Sequence, residues 1–154
     1  MPGMGAARFR HRGSTQLSET AMEISAIVSH SGMEHAVTVR TDGNARELAI
    51  PSMESGQGSG VNGGEFLLLA LATCYSNDLY REAAQMGITL QAVAVEASAT
   101  FSGPGLAAAD IRYRARVASP ADASTIADLL RRTDAVAEVH NTVRAGVPVT
   151  LVTD

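Results

Sequence analysis

The chain has 154 residues, 45% hydrophobic and 18% charged, with a formal net charge of −4. That is the make-up of one globular domain long enough to bury a full core. All twelve basic residues are arginine, which excludes a Schiff-base lysine, a lysine general base and a phosphate-loop lysine, while a single cysteine excludes an intrachain disulfide, a cysteine-rich zinc cluster and a two-cysteine redox relay within one chain.

Residues 1–21 are rich in Gly, Ser, Thr and Arg and lack periodicity, as expected of a disordered N-terminal extension ahead of a domain spanning 22–154. The extension carries Arg8, Arg10 and Arg12 against Glu19, so the remaining nine arginines and fifteen carboxylates leave an acidic body. That balance argues against nucleic acid as a partner. No apolar run follows the basic N-terminal residues, so no secretory signal is expected. The longest apolar run, Phe66 to Ala72, falls well short of the ~20 residues that span a bilayer, and no membrane partner is expected. Lone-cysteine usage fits a reducing, cytoplasmic location.

Structure is expected to begin at Met22, with a first strand over 23–30. Residues 35–40 and 47–50 flank Asp42-Gly43-Asn44, a hairpin signal. Residues 51–61 form a Gly- and Ser-rich loop. Overlapping its end, Gly58-Ser59-Gly60-Val61-Asn62-Gly63 matches a dinucleotide-binding pattern. The surrounding β-α-β unit and its acidic residue are missing, so the segment is read as a glycine-rich loop.

Asn62 and Glu65 have the spacing of a capping box, and Gly87 marks a stop, so a long helix is expected over 63–86. Its first half is apolar on every side, which predicts a helix wrapped by other elements. Two strands follow, 88–101 and 110–118; in the second, Arg112, Arg114 and Arg116 alternate with apolar residues and define a half-exposed face with Glu96 opposite. Ser119-Pro120 is expected to start another helix, and Val136, Val139, His140 and Val143 define a last one over 134–144. Val147 to Val152 reads as a closing strand. The element order is that of an α+β domain.

Candidate chemistry concentrates at Cys74, on the long helix where its apolar half meets Asn77, Asp78 and Arg81. Asp78 would raise the thiol pKa and a nearby arginine would lower it. The spacing alone favours an inert core cysteine over a reactive one. Among His11, His30, His35 and His140 no metal-ligand spacing stands out, and neither a metal nor another cofactor is expected. His140 falls on the apolar stripe of its helix, the position of a core histidine within reach of a buried thiol.

The segment Asn62 to Ser76, NGGEFLLLALATCYS, resembles the central helix of the OsmC-like family, which includes the organic hydroperoxide resistance proteins and whose pattern runs approximately N-P-x-E-L-L-x-A-A-L-A-x-C-x. The downstream hairpin, the paired helices and Arg144-Ala145-Gly146-Val147-Pro148-Val149 extend the resemblance over about 22–153. It implies antiparallel strands packed on a long central helix, in an intertwined homodimer with thiol sites at the interface. It further implies that Cys74 attacks a hydroperoxide and becomes a sulfenic acid. The family's peroxidases resolve that acid with a second cysteine, whose place falls nearest Ala137. Their activating glutamate falls nearest Gly64, one residue before Glu65, and their activating arginine lies on an early strand, where Arg40 and Arg46 are candidates.

These departures leave a one-cysteine reaction in which an external thiol reduces Cys74 directly. Cys74 would then be the nucleophile, Arg40 or Arg46 the thiolate stabiliser, and His140 or Glu65 a proton-transfer group, with Leu67, Leu71 and Tyr75 as apolar pocket walls. The rival reading is a non-catalytic member of this fold that binds a small apolar ligand.

Overall fold

The computed structural model describes residues 21–153, so the extension expected over 1–21 lies outside the described residues except for Ala21. Contacts divide the chain between Gly58 and Ser59 into two compact units.

The first unit is an antiparallel sheet of β1 (Ile24–Ser31), β2 (Glu34–Thr41) and β3 (Asn44–Leu48), in that order. Asp42 and Gly43 connect β2 to β3 with φ of 48° and 80°, the two positive values that a tight hairpin turn of compatible twist demands. The Asp42 carboxylate also accepts the Glu23 N–H at 2.9 Å, pinning the start of β1 to the same turn. At the other end, Ser31 faces Glu34 and His30 faces His35. Every residue of β1 is exposed, and Val37 on β2 is the one buried hydrophobic residue of the sheet.

The second unit begins with α1 (Gly63–Gln85), ~34 Å long at 1.5 Å per residue. Its capping box is complete: Glu65 N–H donates to Asn62 Oδ1 at 3.0 Å, and Asn62 N–H donates to Glu65 Oε2 at 2.8 Å. Gly87, at φ 67°, lets the chain turn away at the far end. β4 (Ala92–Phe101) and β5 (Ala108–Ala118) form an antiparallel pair packed on α1. α2 (Ala123–Val136) and α3 (Glu138–Ala145) complete the unit.

The core gathers Tyr75, Leu79 and Ala83 of α1 with Leu129 of α2 and Ala137. Val93, Val95, Tyr113, Ala115 and Val117 pack against it from one face of the β4–β5 pair. The alternate residues Arg112, Arg114 and Arg116 are exposed on the opposite face. Glu96 lies opposite Arg114 in register and pairs diagonally with Arg116 at 3.9 Å. Period-two alternation thus sorts the strand as its sequence indicates.

Four expectations need correction. The first half of α1 is not wrapped: Leu69 is 57% exposed and Phe66, Leu67 and Leu68 are half-buried, with full burial beginning at Leu71. α2 is capped by Asp122, whose carboxylate accepts the Thr125 N–H at 2.8 Å; Ser119 instead donates to Thr89 O at 2.8 Å, outside the helix. Residues 134–144 are not one helix, because buried Ala137 takes an extended conformation (φ −73°, ψ 100°) and separates α2 from α3. The carbonyls left open near the end of α2 are met by α3 side chains, Asn141 bonding Ala135 O and Arg144 bonding Asp134 O.

No strand forms over 147–152; Val149, Leu151 and Val152 are all more than 80% exposed. A strand needs a ladder partner, and the described residues offer this segment none. No helix among the described residues is long and apolar enough to cross a membrane.

Candidate functional site

Cys74 lies in the middle of α1, partly buried. Helical spacing places Asp78 one turn on, on the same face, and the thiol donates to Asp78 Oδ2 at 3.4 Å. The start of α3 supplies two further groups. Glu138 Oε2 lies 3.8 Å from Sγ, and the Val139 N–H beside the sulfur favours its thiolate form. The break at Ala137 sets where α3 begins and so brings Glu138 and Val139 to the thiol.

Arg81 closes the cluster. Its guanidinium meets Asp78 Oδ1 at 2.8 Å, Glu82 Oε1 at 3.3 Å and Glu138 Oε1 at 3.8 Å. Asp78 and Glu82 are 3% and 6% exposed, so this cation compensates carboxylates that burial would otherwise penalise. Arg81 thus bonds the carboxylates that surround Cys74.

Burial pushes the Cys74 thiol above its ordinary pKa, and the charges of Asp78 and Glu138 push the same way; the Val139 N–H opposes them. The resting group is therefore a thiol with a carboxylate ready to accept its proton, not a free thiolate. The Sγ atom and single oxygens of Asp78 and Glu138 lie within 4.8 Å of one another, but Arg81 already satisfies both carboxylates. The donor set suits proton exchange better than ion coordination.

The other residues singled out in the sequence are distributed. Glu65 is engaged in the α1 cap, nine residues and so ~13 Å along the helix from Cys74. Tyr75 is buried in the core, its hydroxyl donating to Leu130 O at 2.8 Å. Leu67 is half-buried on α1. Arg40 and Arg46 lie on β2 and β3, opposite Ala45 and Val39, and neither makes an ion pair among the described residues.

His140 is 3% exposed and caged by aromatic rings, with centroids 4.5 Å from Tyr113 and 5.6 Å from Tyr75. Neither of its ring nitrogens has a hydrogen-bond partner. Burial and the Arg144 charge hold its pKa below the usual value, so it is a neutral ring near neutral pH. With Leu71, Ile111, Tyr113, Val143 and Arg144 it lines a cleft of about 110 Å³. Beside that cleft Asp134 accepts from the Tyr113 hydroxyl and from Arg144, the latter at 2.5 Å. Burial, with the Asp134 carboxylate beside it, pushes the Tyr113 phenol up to about 12.

Sequence reasoning found Asp78 but missed Glu138 and the Val139 amide. Both reach Cys74 from 64 or more positions away, and nothing in local spacing announces them. The Tyr113–Asp134–Arg144 group was missed for the same reason, since it joins β5, α2 and α3.

The central helix with its mid-helix cysteine, the strand pair packed on it and the two short helices define a thiol-bearing α+β protein. The chain belongs to the OsmC-like family, whose model, described as OsmC-like protein, matches residues 56–152. No curated protein matches it.

Among solved structures, an OsmC-like protein from Mycoplasma pneumoniae shares 18% identity at a TM-score of 0.59, over 82% of this chain and 89% of that one. An organic hydroperoxide resistance protein from Elizabethkingia anophelis, with crystallant-derived thiocyanate bound, gives 17% and 0.55 over 82% and 91%. An OsmC-like protein of unknown function from Vibrio cholerae gives 15% and 0.53 over 78% and 92%. At these identities the likeness establishes the fold.

Proposed function

We propose that the protein reduces organic hydroperoxides through Cys74 alone, with an external thiol as reductant. The observation that carries this reading is the Cys74–Asp78 contact: the chain's one nucleophilic sulfur donates its proton to a carboxylate while a backbone amide addresses the same sulfur. Sulfur attacks the distal peroxide oxygen and the O–O bond breaks. Asp78 takes the thiol proton and returns it to the departing alkoxide, giving Cys74 sulfenic acid and an alcohol. One external thiol then displaces water to form a mixed disulfide. A second thiol releases Cys74 and leaves with the first as an external disulfide.

Asp78 is the proton acceptor in this scheme, and Val139 N–H steadies the developing thiolate. Arg81 holds Asp78 and Glu138 in place. Arg40 or Arg46 is proposed as the further cation that lowers the thiol pKa, in a homodimer whose formation the bare apolar residues of β1 and the exposed Leu69 support. A second reading, binding of a small apolar ligand without catalysis, draws on the cleft walled by Leu71, Ile111 and Val143.

Dithiol-dependent consumption of cumene hydroperoxide, compared between the native chain and Cys74→Ser, tests the first reading. Turnover that disappears in the variant is the expected result. Turnover no greater than that of the variant overturns the peroxidase and leaves the cleft to explain.

A further inference from the structure

The β1–β2 turn holds a feature that the Cys74 chemistry does not use. His30 and His35 are directly opposed cross-strand partners, so their side chains leave the same face of the sheet. Their rings stack with centroids 4.4 Å apart, and the two Nδ1 atoms share a hydrogen bond at 3.2 Å. His35 Nε2 is enclosed and has no partner. The polar outlet of His35 is thus its Nδ1, which faces the other imidazole.

We infer that this pair is a binding site for a late first-row divalent cation such as Zn²⁺ or Cu²⁺. Two imidazole nitrogens each at about 2.0–2.1 Å from a tetrahedral ion lie about 3.3 Å apart, close to the separation already present here. The ion replaces the shared hydrogen as the bridge between the rings; that proton leaves Nδ1 through solvent, and both rings ligate as neutral Nε2–H tautomers. Their planes are inclined by 16°, so both lone pairs meet at one point only after rotation about the Cβ–Cγ bonds. The exposed position of His30 and the turn leaves room for it.

Neutral imidazole is the ligand of copper and zinc; Mg²⁺ and Ca²⁺ prefer carboxylate and water oxygens. Glu34 and Glu54 line the same cleft of about 290 Å³, but among the described residues no carboxylate gathers with the two imidazoles, so water completes the coordination. The sequence conceals the pair, because four intervening residues resemble no metal motif until the hairpin register brings the two rings together.

Calorimetric titration of the full chain with Zn²⁺, and electron paramagnetic resonance with Cu²⁺, tests the site. The expected result is one ion per chain, with two imidazole nitrogens in the Cu²⁺ spectrum. His30→Gln and His35→Gln each weaken Zn²⁺ binding by more than about tenfold, since even outer-shell partners of metal ligands carry that much. Cys74→Ser leaves it unchanged. The inference is overturned if Zn²⁺ does not bind, if both histidine variants bind it as the native chain does, or if Cys74→Ser removes it. The Cu²⁺ spectrum of the native chain decides the matter independently of how the variants fold: a spectrum without paired imidazole nitrogens also overturns it.

Discussion

At Cys74 three groups act on one proton. Burial and two carboxylates hold it on sulfur, while the Val139 amide favours its release. Asp78→Asn removes both a charge and the acceptor, so the thiol pKa falls, as ultraviolet titration of the thiolate will record. Alkylation of Cys74 near neutral pH then accelerates, yet hydroperoxide turnover slows because the leaving alkoxide has lost its proton donor. If both rates rise together, Asp78 is an electrostatic burden and not the proton carrier. His140 offers a contrasting test. Both ring nitrogens are buried without partners, so His140→Phe removes polar atoms that burial penalises at small change in shape; the melting temperature holds or rises. Turnover that survives in this variant excludes His140 from proton transfer, and turnover that collapses in a stably folded variant places it there. Of these influences the sequence disclosed Asp78, because a helix fixes its own i,i+4 neighbours. Glu138 and Val139 depend on where α3 begins, which is set by a buried alanine whose extended backbone no propensity reports.

Elements with their own chemical punctuation were the most legible. Asn62 and Glu65 announced the start of α1, and Asp42-Gly43 announced its hairpin. Asn62→Ala leaves the Glu65 N–H without its acceptor and costs about 1 kcal/mol, measurable by denaturant unfolding. α2 was harder to place because Ser119-Pro120 and Asp122 both offer starts, and the carboxylate prevailed. Hydrogen bonds from Ser124, Thr125 N–H and the Thr125 hydroxyl hold the Asp122 pKa at about 2, below its ordinary 3.8. A carboxylate with a depressed folded-state pKa lends stability that is complete above the unfolded value and lost as pH falls through the folded one. The native chain should therefore lose stability between pH 3.8 and about 2 more steeply than Asp122→Asn does. Parallel pH profiles for the two proteins would show that the cap charge contributes nothing. The closing segment 147–152 has strand composition, but composition provides no hydrogen-bond partner, and the expectation failed there.

For the whole molecule, element order and hydrophobic periodicity carried the fold class, since the alternation in β4 and β5 and the apolar stripe of α2 each reveal a buried face. They did not reveal that β1 and the first turns of α1 remain uncovered in a single chain. Val28→Glu in β1 should shift the proposed homodimer toward monomer in sedimentation while leaving the β4–β5 unit folded; an unchanged dimer would place the interface elsewhere. The bare β1 also bears on how the protein endures. When folding is completed by a second copy, stability obeys mass action, so it belongs to a population and not to a molecule. The melting temperature should climb with protein concentration, and a cell producing few copies would hold a less durable protein than one producing many.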